Sequence, residues 1–303
     1  LQILSFWSLP IAWRRAHQGV LIRTGRTGII TVATGVRLLS LAGALFGGLL
    51  LMPDRGALVA GLAMVFSVVV EALLITLATR PVLRSDAFRT APEGEGQPPL
   101  TTRSLWQFYR PLGMTSILRQ ASRPVLNAGI AAATMAVASL AAWPVVWGFA
   151  ILIAGPAWSL QQLATALATD QAAYRRVRTF SLSLSALMGL LLALVAFTPL
   201  YGLVMGGVYN LSPALQELAR PALQVLSLYP LLMGGQSLLR GVLIRSGCTG
   251  AVRAAMTANV LALTAALLLG VWFSSLTGVL VAALAVMAGG LVELIWLRWR
   301  SQC

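Results

Sequence analysis

Lysine is absent from this 303-residue chain, and it holds one histidine, two cysteines and eight acidic residues. Each shortage excludes a kind of chemistry. Without lysine there is no Gly-rich phosphate loop ending in Lys. His17 alone cannot furnish a zinc site or a His-based triad of the usual kinds. Cys248 and Cys303 sit in no Cys-x-x-Cys or Cys/His cluster, so neither a metal nor a disulfide framework is visible. No nucleophile–base pair stands out, so the chain is not expected to be an enzyme or to carry a cofactor. Charged residues make up 10% of the chain, against about 25% in soluble domains.

What is there instead is apolar: 58% of residues are hydrophobic and mean hydropathy is +0.84. A soluble chain of this composition would have no surface to offer water. The expected fold class is an all-α polytopic membrane protein. All 22 basic residues are Arg, for a net charge of +14. In a soluble protein that would suggest nucleic acid; here it reads first as orientation charge, with lipid rather than nucleic acid as its partner. The opening stretch from Leu1 has no Met and no charged n-region, so it is not a signal peptide. It reads as a cut through a longer protein or a processed start.

Cutting at Arg clusters and at Pro, Gly and Asp punctuation leaves nine segments near the ~20 residues of a membrane-crossing helix. They run over 1–22, 28–52, 56–79, 105–131, 134–168, 178–199, 214–240, 250–273 and 277–298. Pro144 and Pro156 predict a bend or tilt in the overlong 134–168. With alternating crossings, Arg14, Arg15, Arg23, Arg26, Arg80, Arg84, Arg89, Arg103, Arg175, Arg176, Arg178, Arg240, Arg245, Arg253, Arg298 and Arg300 share one face. The other face receives Arg55 and Arg220. The loaded face is expected to be cytoplasmic, at an inner (plasma) membrane of bacterial type. Residues 80–104, with Pro92, Gly94, Gly96, Pro98 and Pro99, read as a cytoplasmic linker. It separates 1–79, the end of a first lobe, from 105–303, a second lobe of six helices.

The chain repeats itself. Gly19-Val20-Leu21-Ile22-Arg23-Thr24-Gly25-Arg26-Thr27-Gly28 recurs as Gly241-Val242-Leu243-Ile244-Arg245-Ser246-Gly247-Cys248-Thr249-Gly250, an offset of 222. The same register pairs Leu1-Gln2 with Leu223-Gln224, Gly56 with Gly278 and Glu71 with Glu293; 27 of the first 77 positions match without a gap. Both motifs fall on the same face, so the copies have the same orientation, as halves related by an axis along the membrane normal do. The second copy closes a six-helix unit. The first reads as the close of an equivalent one whose earlier helices precede this chain. The expected parent has about twelve helices in two parallel lobes, an architecture of secondary transporters and flippases.

Charge at membrane depth is costly and marks candidate sites. Arg119, Arg123 and Asn127 are spaced by four along 105–131 and form one polar stripe. Counted from Arg110, the two arginines sit roughly 14 and 20 Å deep at 1.5 Å per residue. Their forks suit phosphate or carboxylate, although carbonyls or acids of the other lobe could equally hold them. Pro124 frees the carbonyl of Gln120 and predicts a kink. Arg37 and Glu71 reach similar depth on neighbouring helices and are expected to form an intramembrane ion pair. In the second copy their places are taken by Asn259 and Glu293. Glu293 then lacks its arginine and is expected to snorkel toward Arg298, with ion coupling as the other possibility. Gln161 and Gln162, after Pro156 and Trp158, either line a cleft or bond across helices. The repeated glycine–arginine motif reads as a tight helix–helix turn with Arg at the headgroups, because no strand precedes it.

The run Ser116-Ile117-Leu118-Arg119-Gln120-Ala121-Ser122-Arg123-Pro124-Val125-Leu126-Asn127 resembles the opening helix of the second lobe in the progressive ankylosis protein family. That family carries a similar Ser-Arg-Pro-aliphatic-aliphatic-Asn run. The likeness extends through Pro156-Ala157-Trp158 and Ser227-Leu228-Tyr229-Pro230. The wider group joins multidrug and toxin extrusion (MATE) proteins with oligosaccharide-lipid and lipid II flippases. The resemblance implies two six-helix lobes and a cavity open to alternating sides. It implies export of anions such as pyrophosphate, ATP or citrate, with Arg123 and Asn127 on the family run. The chain departs from the family at Ser159-Leu160-Gln161-Gln162, where the family is charged. It also lacks the first-lobe helix on which drug antiporters bind cations, so no coupling ion follows.

The expected function is therefore a secondary transporter or flippase exporting an anionic solute or lipid-linked phosphate. Arg119, Arg123, Asn127, Gln161 and Gln162 are its candidate substrate residues, and the earlier helices of the same protein its partner. A MATE-type drug or cation antiporter would need acids in the cleft, where Glu71 and Glu293 are available. The remaining reading is a membrane scaffold that transports nothing.

Overall fold

The computed structural model describes residues 6–85 and 101–300 and resolves the chain into two compact units, Leu1–Pro99 and Leu100–Cys303. The first contains α1 (Ser8–Arg23), α2 (Thr27–Leu51), a 3-10 turn at Pro53–Arg55 and α3 (Gly56–Arg84). The second contains α4 (Thr102–Ala132), α5 (Ala136–Ala154), α6 (Pro156–Leu167), α7 (Gln171–Phe197), α8 (Pro213–Leu226), α9 (Tyr229–Arg245), α10 (Thr249–Phe273) and α11 (Gly278–Arg300). A short helix at Leu200–Gly202 and a π-turn at Leu203–Val208 follow α7.

Seven helical stretches among the described residues are long and apolar enough to cross a bilayer: Thr27–Leu51, Pro53–Arg84, Ala136–Leu167, Gln171–Phe197, Pro213–Arg245, Thr249–Phe273 and Gly278–Arg300. The chain is an all-α polytopic membrane protein. Side chains such as Leu50, Leu51 and Val137 stand fully out from it, as a lipid-facing surface requires. Nine segments were expected. Of the two that are not among the seven, α1 has only 16 described residues, too few for a crossing, and α4 is diluted by its arginines. At 31 residues α4 is nonetheless of membrane length, about 46 Å. It runs as helix through Pro124.

The second unit makes six helical passes: α4, α5 with α6, α7, α8 with α9, α10 and α11. Two of these passes are divided. The overlong segment splits at Gly155–Pro156, and 214–240 splits at Ser227-Leu228 before Pro230, which has no N–H to continue the ladder. At one end of the unit Gly278 N donates to Thr134 O at 3.1 Å and joins the α4–α5 turn to the α10–α11 turn. Beside α8, Arg220 Nε donates to Ala196 O at 3.2 Å and so caps the end of α7. At the other end Arg245 Nη1 donates to Thr165 O at 3.0 Å and to Ala166 O at 3.2 Å, capping α6. There too Asp170 caps α7, and the hydrogen bond from Ala173 N holds its carboxyl below the usual range. The linker expected over 80–104 is entered by α3 and α4 from its two sides; residues 86–100 lie outside the described residues.

The repeat is structural. Shifting α2 by 222 gives the bounds of α10, and α3 and α11 start at equivalent residues. The glycine–arginine motif makes the same turn twice. Arg26 N donates to Leu21 O at 2.9 Å, and Cys248 N to Leu243 O at 2.8 Å. Gly25 and Gly247 sit at φ 72° and 78°, where a side chain is strained. The inter-helix contacts recur as well. A Cβ on Gly48 would lie 2.5 Å from Val59 Cγ1, and one on Gly270 would lie 2.5 Å from Val281 Cγ1. Small residues let membrane helices approach this closely, and valine is stiff at χ1. Gly270→Ala is therefore expected to destabilise the protein by about 1–3 kcal/mol. Melting in detergent checks this, and Gly270→Ala with Val281→Ala should be more stable than Gly270→Ala alone.

Candidate functional site

Helix α4 carries the polar stripe, and the structure gives it something to face. Arg123 and Asn127, one turn apart, both line a cavity of about 480 Å³ within the second unit. Both are exposed. The helix backbone puts Arg119 one turn earlier; its side chain lies outside the described residues. Aromatic rings from α5, α6 and α9 form another part of the wall: Trp143, Trp147, Trp158 and Tyr229. The remaining polar part comes from α9, α10 and α11: Gln236, Arg240, Asn259 and Glu293. Gln161 and Gln162 are not among the lining residues; the wall takes only Trp158 from α6. Gln161 lies where α6 packs on α9, its carbonyl 2.6 Å from where a Cβ on Gly241 would be.

Glu293 is fully buried and does not snorkel. Arg240 Nε donates to its Oε1 at 2.7 Å, with Nη2 on the same oxygen, and Asn259 Nδ2 donates to Oε2 at 2.7 Å. Arg240, placed by charge alternation at the membrane face, is instead 8% exposed. With Arg240 at that face, the sequence offers Glu293 no arginine. The desolvation of a carboxylate is costly unless it is paired and hydrogen-bonded, and here it is both.

The first unit holds the equivalent carboxylate. Glu71 is 1% exposed. It accepts from Arg14, lies 3.5 Å from Arg37 and accepts from Thr34 Oγ1 at 3.1 Å. Charge alternation puts Arg14 too at the arginine-loaded face. Comparing the copies shows an interchange. Arg37 corresponds to Asn259, and both face the carboxylate. Arg14 corresponds to Gln236, and Gln18 to Arg240, so the second cation has moved one helical turn along the same helix. The Arg/Gln exchange four residues apart was present in the sequence as the signal for this pair.

Arg240 is thus balanced by Glu293, whereas no carboxylate of the described residues pairs with Arg123. The described lining carries two arginines against one glutamate, an excess of positive charge in the cavity wall. Such a wall can hold an anion.

A family model described as Progressive ankylosis protein (ANKH) matches residues 99–299, which spans α4 to α11 and hence the whole cavity. Neither a curated protein nor a solved structure was found to match.

Proposed function

The chain belongs to the progressive ankylosis protein family, and on that premise we propose that it is a secondary transporter moving an anion outward. The membrane-spanning passes suit a transporter. The observation that carries the substrate charge is Arg123, lining the cavity with no acidic partner among the described residues while the other lining arginine is neutralised. Arg123 and Asn127 bind the anionic group; Arg119 stands one helical turn earlier on the same helix. The substrate is a soluble anion or a lipid-linked phosphate. The repeat at offset 222 supports two parallel lobes working by alternating access, with the arginine-rich helix ends in the cytoplasm. No enzymatic step is assigned to the site.

Gly148 offers a test that spares the packing. It lines the cavity, and a Cβ there would meet nothing within 4 Å. Gly148→Leu fills open space and improves helix propensity. In proteoliposomes bearing the full-length protein, uptake of labelled pyrophosphate or citrate should fall severalfold while the melting temperature holds. Unchanged uptake in Gly148→Leu would remove the cavity from the pathway. A wild-type protein that moves organic cations and no anion would favour the antiporter reading, for which Glu293 is the cavity's acid.

A further inference from the structure

We propose that the cavity takes an anion bearing a flat apolar ring, such as an aryl carboxylate or aryl phosphate, in preference to a compact polyanion. This rests on the reading of the cavity as an anion site. Trp143 and Trp147 lie four apart on α5, so their side chains stand one above the other on one face. Their rings stack with centroids 5.5 Å apart and planes inclined by 16°. Tyr229, placed by the break before α9, tilts onto Trp147 at 5.1 Å and 58°. Trp158 lines the same cavity from α6 and is 48% exposed.

Trp143 is 5% exposed and belongs to the core, but packing does not use up Trp147 and Trp158. Trp147 is only half-buried, and the space beside neighbouring Gly148 is open. Aromatic faces carry the negative end of the ring quadrupole, so they repel an anion laid on them and welcome an apolar ring. A diphosphate or tricarboxylate, charged at both ends, would have to place charge against this wall and lose hydration there. A ligand with one charged end and one aryl end meets no such conflict. Its headgroup takes the Arg123 fork, and its ring slides against Trp147 and Trp158. The aromatic wall then sets specificity while Arg123 sets charge.

The experiment compares 1-naphthyl phosphate with inorganic phosphate and pyrophosphate in equilibrium binding to the purified full-length protein in detergent. The wild type should prefer 1-naphthyl phosphate by roughly tenfold, as expected of one or two aromatic contacts. In Trp147→Leu that ratio should collapse toward one, and in Trp147→Phe, which keeps a ring, it should persist. If the wild type binds all three anions alike, or if Trp147→Leu keeps the preference, the aryl assignment is overturned and the anion site stands. If none of the three binds and Arg123→Gln changes nothing, both the assignment and the anion site fall together.

Discussion

Arg123→Gln should lower anion affinity by roughly ten- to a hundredfold, the range set by losing a charged hydrogen-bond donor worth about 1.5–3 kcal/mol. Arg123→Lys should fall between, because an ammonium keeps the charge and loses the planar fork. The protein itself should hardly notice. Arg123 is exposed and has no carboxylate partner among the described residues, so its removal strands no buried charge. Titrating labelled pyrophosphate or an aryl phosphate into wild type and variants measures the first effect, and detergent melting curves measure the second. Full affinity in Arg123→Gln would move the site elsewhere. A melting temperature that drops sharply would show that Arg123 holds the helix rather than a ligand. Arg123 and Arg240 are thereby separated: both line one cavity, and only one is free to act on a substrate.

The sequence went furthest where the physics is local. Hydropathy and proline punctuation placed α2, α10 and α11 within a residue or two, because a bilayer demands apolar runs of set length. The repeat was legible because an ungapped register preserves turns. Gly25 and Gly247 at positive φ and the paired Gly48/Val59 and Gly270/Val281 contacts are what that register was keeping. What stayed hidden were matters of partnership. Charge alternation sent Arg14 and Arg240 to a membrane face, since counting arginines near helix ends cannot distinguish one that reaches inward. Each turned to a buried glutamate on a helix far along the chain. The aromatic wall was hidden for a related reason. Trp143, Trp147, Trp158 and Tyr229 come from three helices, and each by itself reads as packing or interface. Gln161 and Gln162 drew notice as polar residues in an apolar run, yet the cavity wall takes only Trp158 from their helix.

The Arg240–Glu293 pair makes the strongest demand on stability. Arg240→Gln leaves a carboxylate of zero exposure held by Asn259 alone, and breaking a buried pair in this way costs about 3–5 kcal/mol. The first copy of the repeat shows how the loss can be repaired. There the cation stands one turn earlier, at Arg14, and glutamine occupies the position of Arg240. Gln236→Arg combined with Arg240→Gln imposes that arrangement on the second copy, with Asn259 keeping its bond. The double variant should recover most of the stability lost in Arg240→Gln, as read from melting temperature or from resistance to denaturing detergent. Gln236→Arg alone should not stabilise, because it adds a second cation beside one carboxylate and removes the 2.7 Å hydrogen bond from Gln236 Nε2 to Gly290 O. If the exchange fares no better than Arg240→Gln, the two copies do not share one way of neutralising their glutamate. If it restores the fold, a buried carboxylate in each unit can draw its cation from either of two turns of one helix, which is the tolerance that lets duplicated halves diverge around a fixed charge.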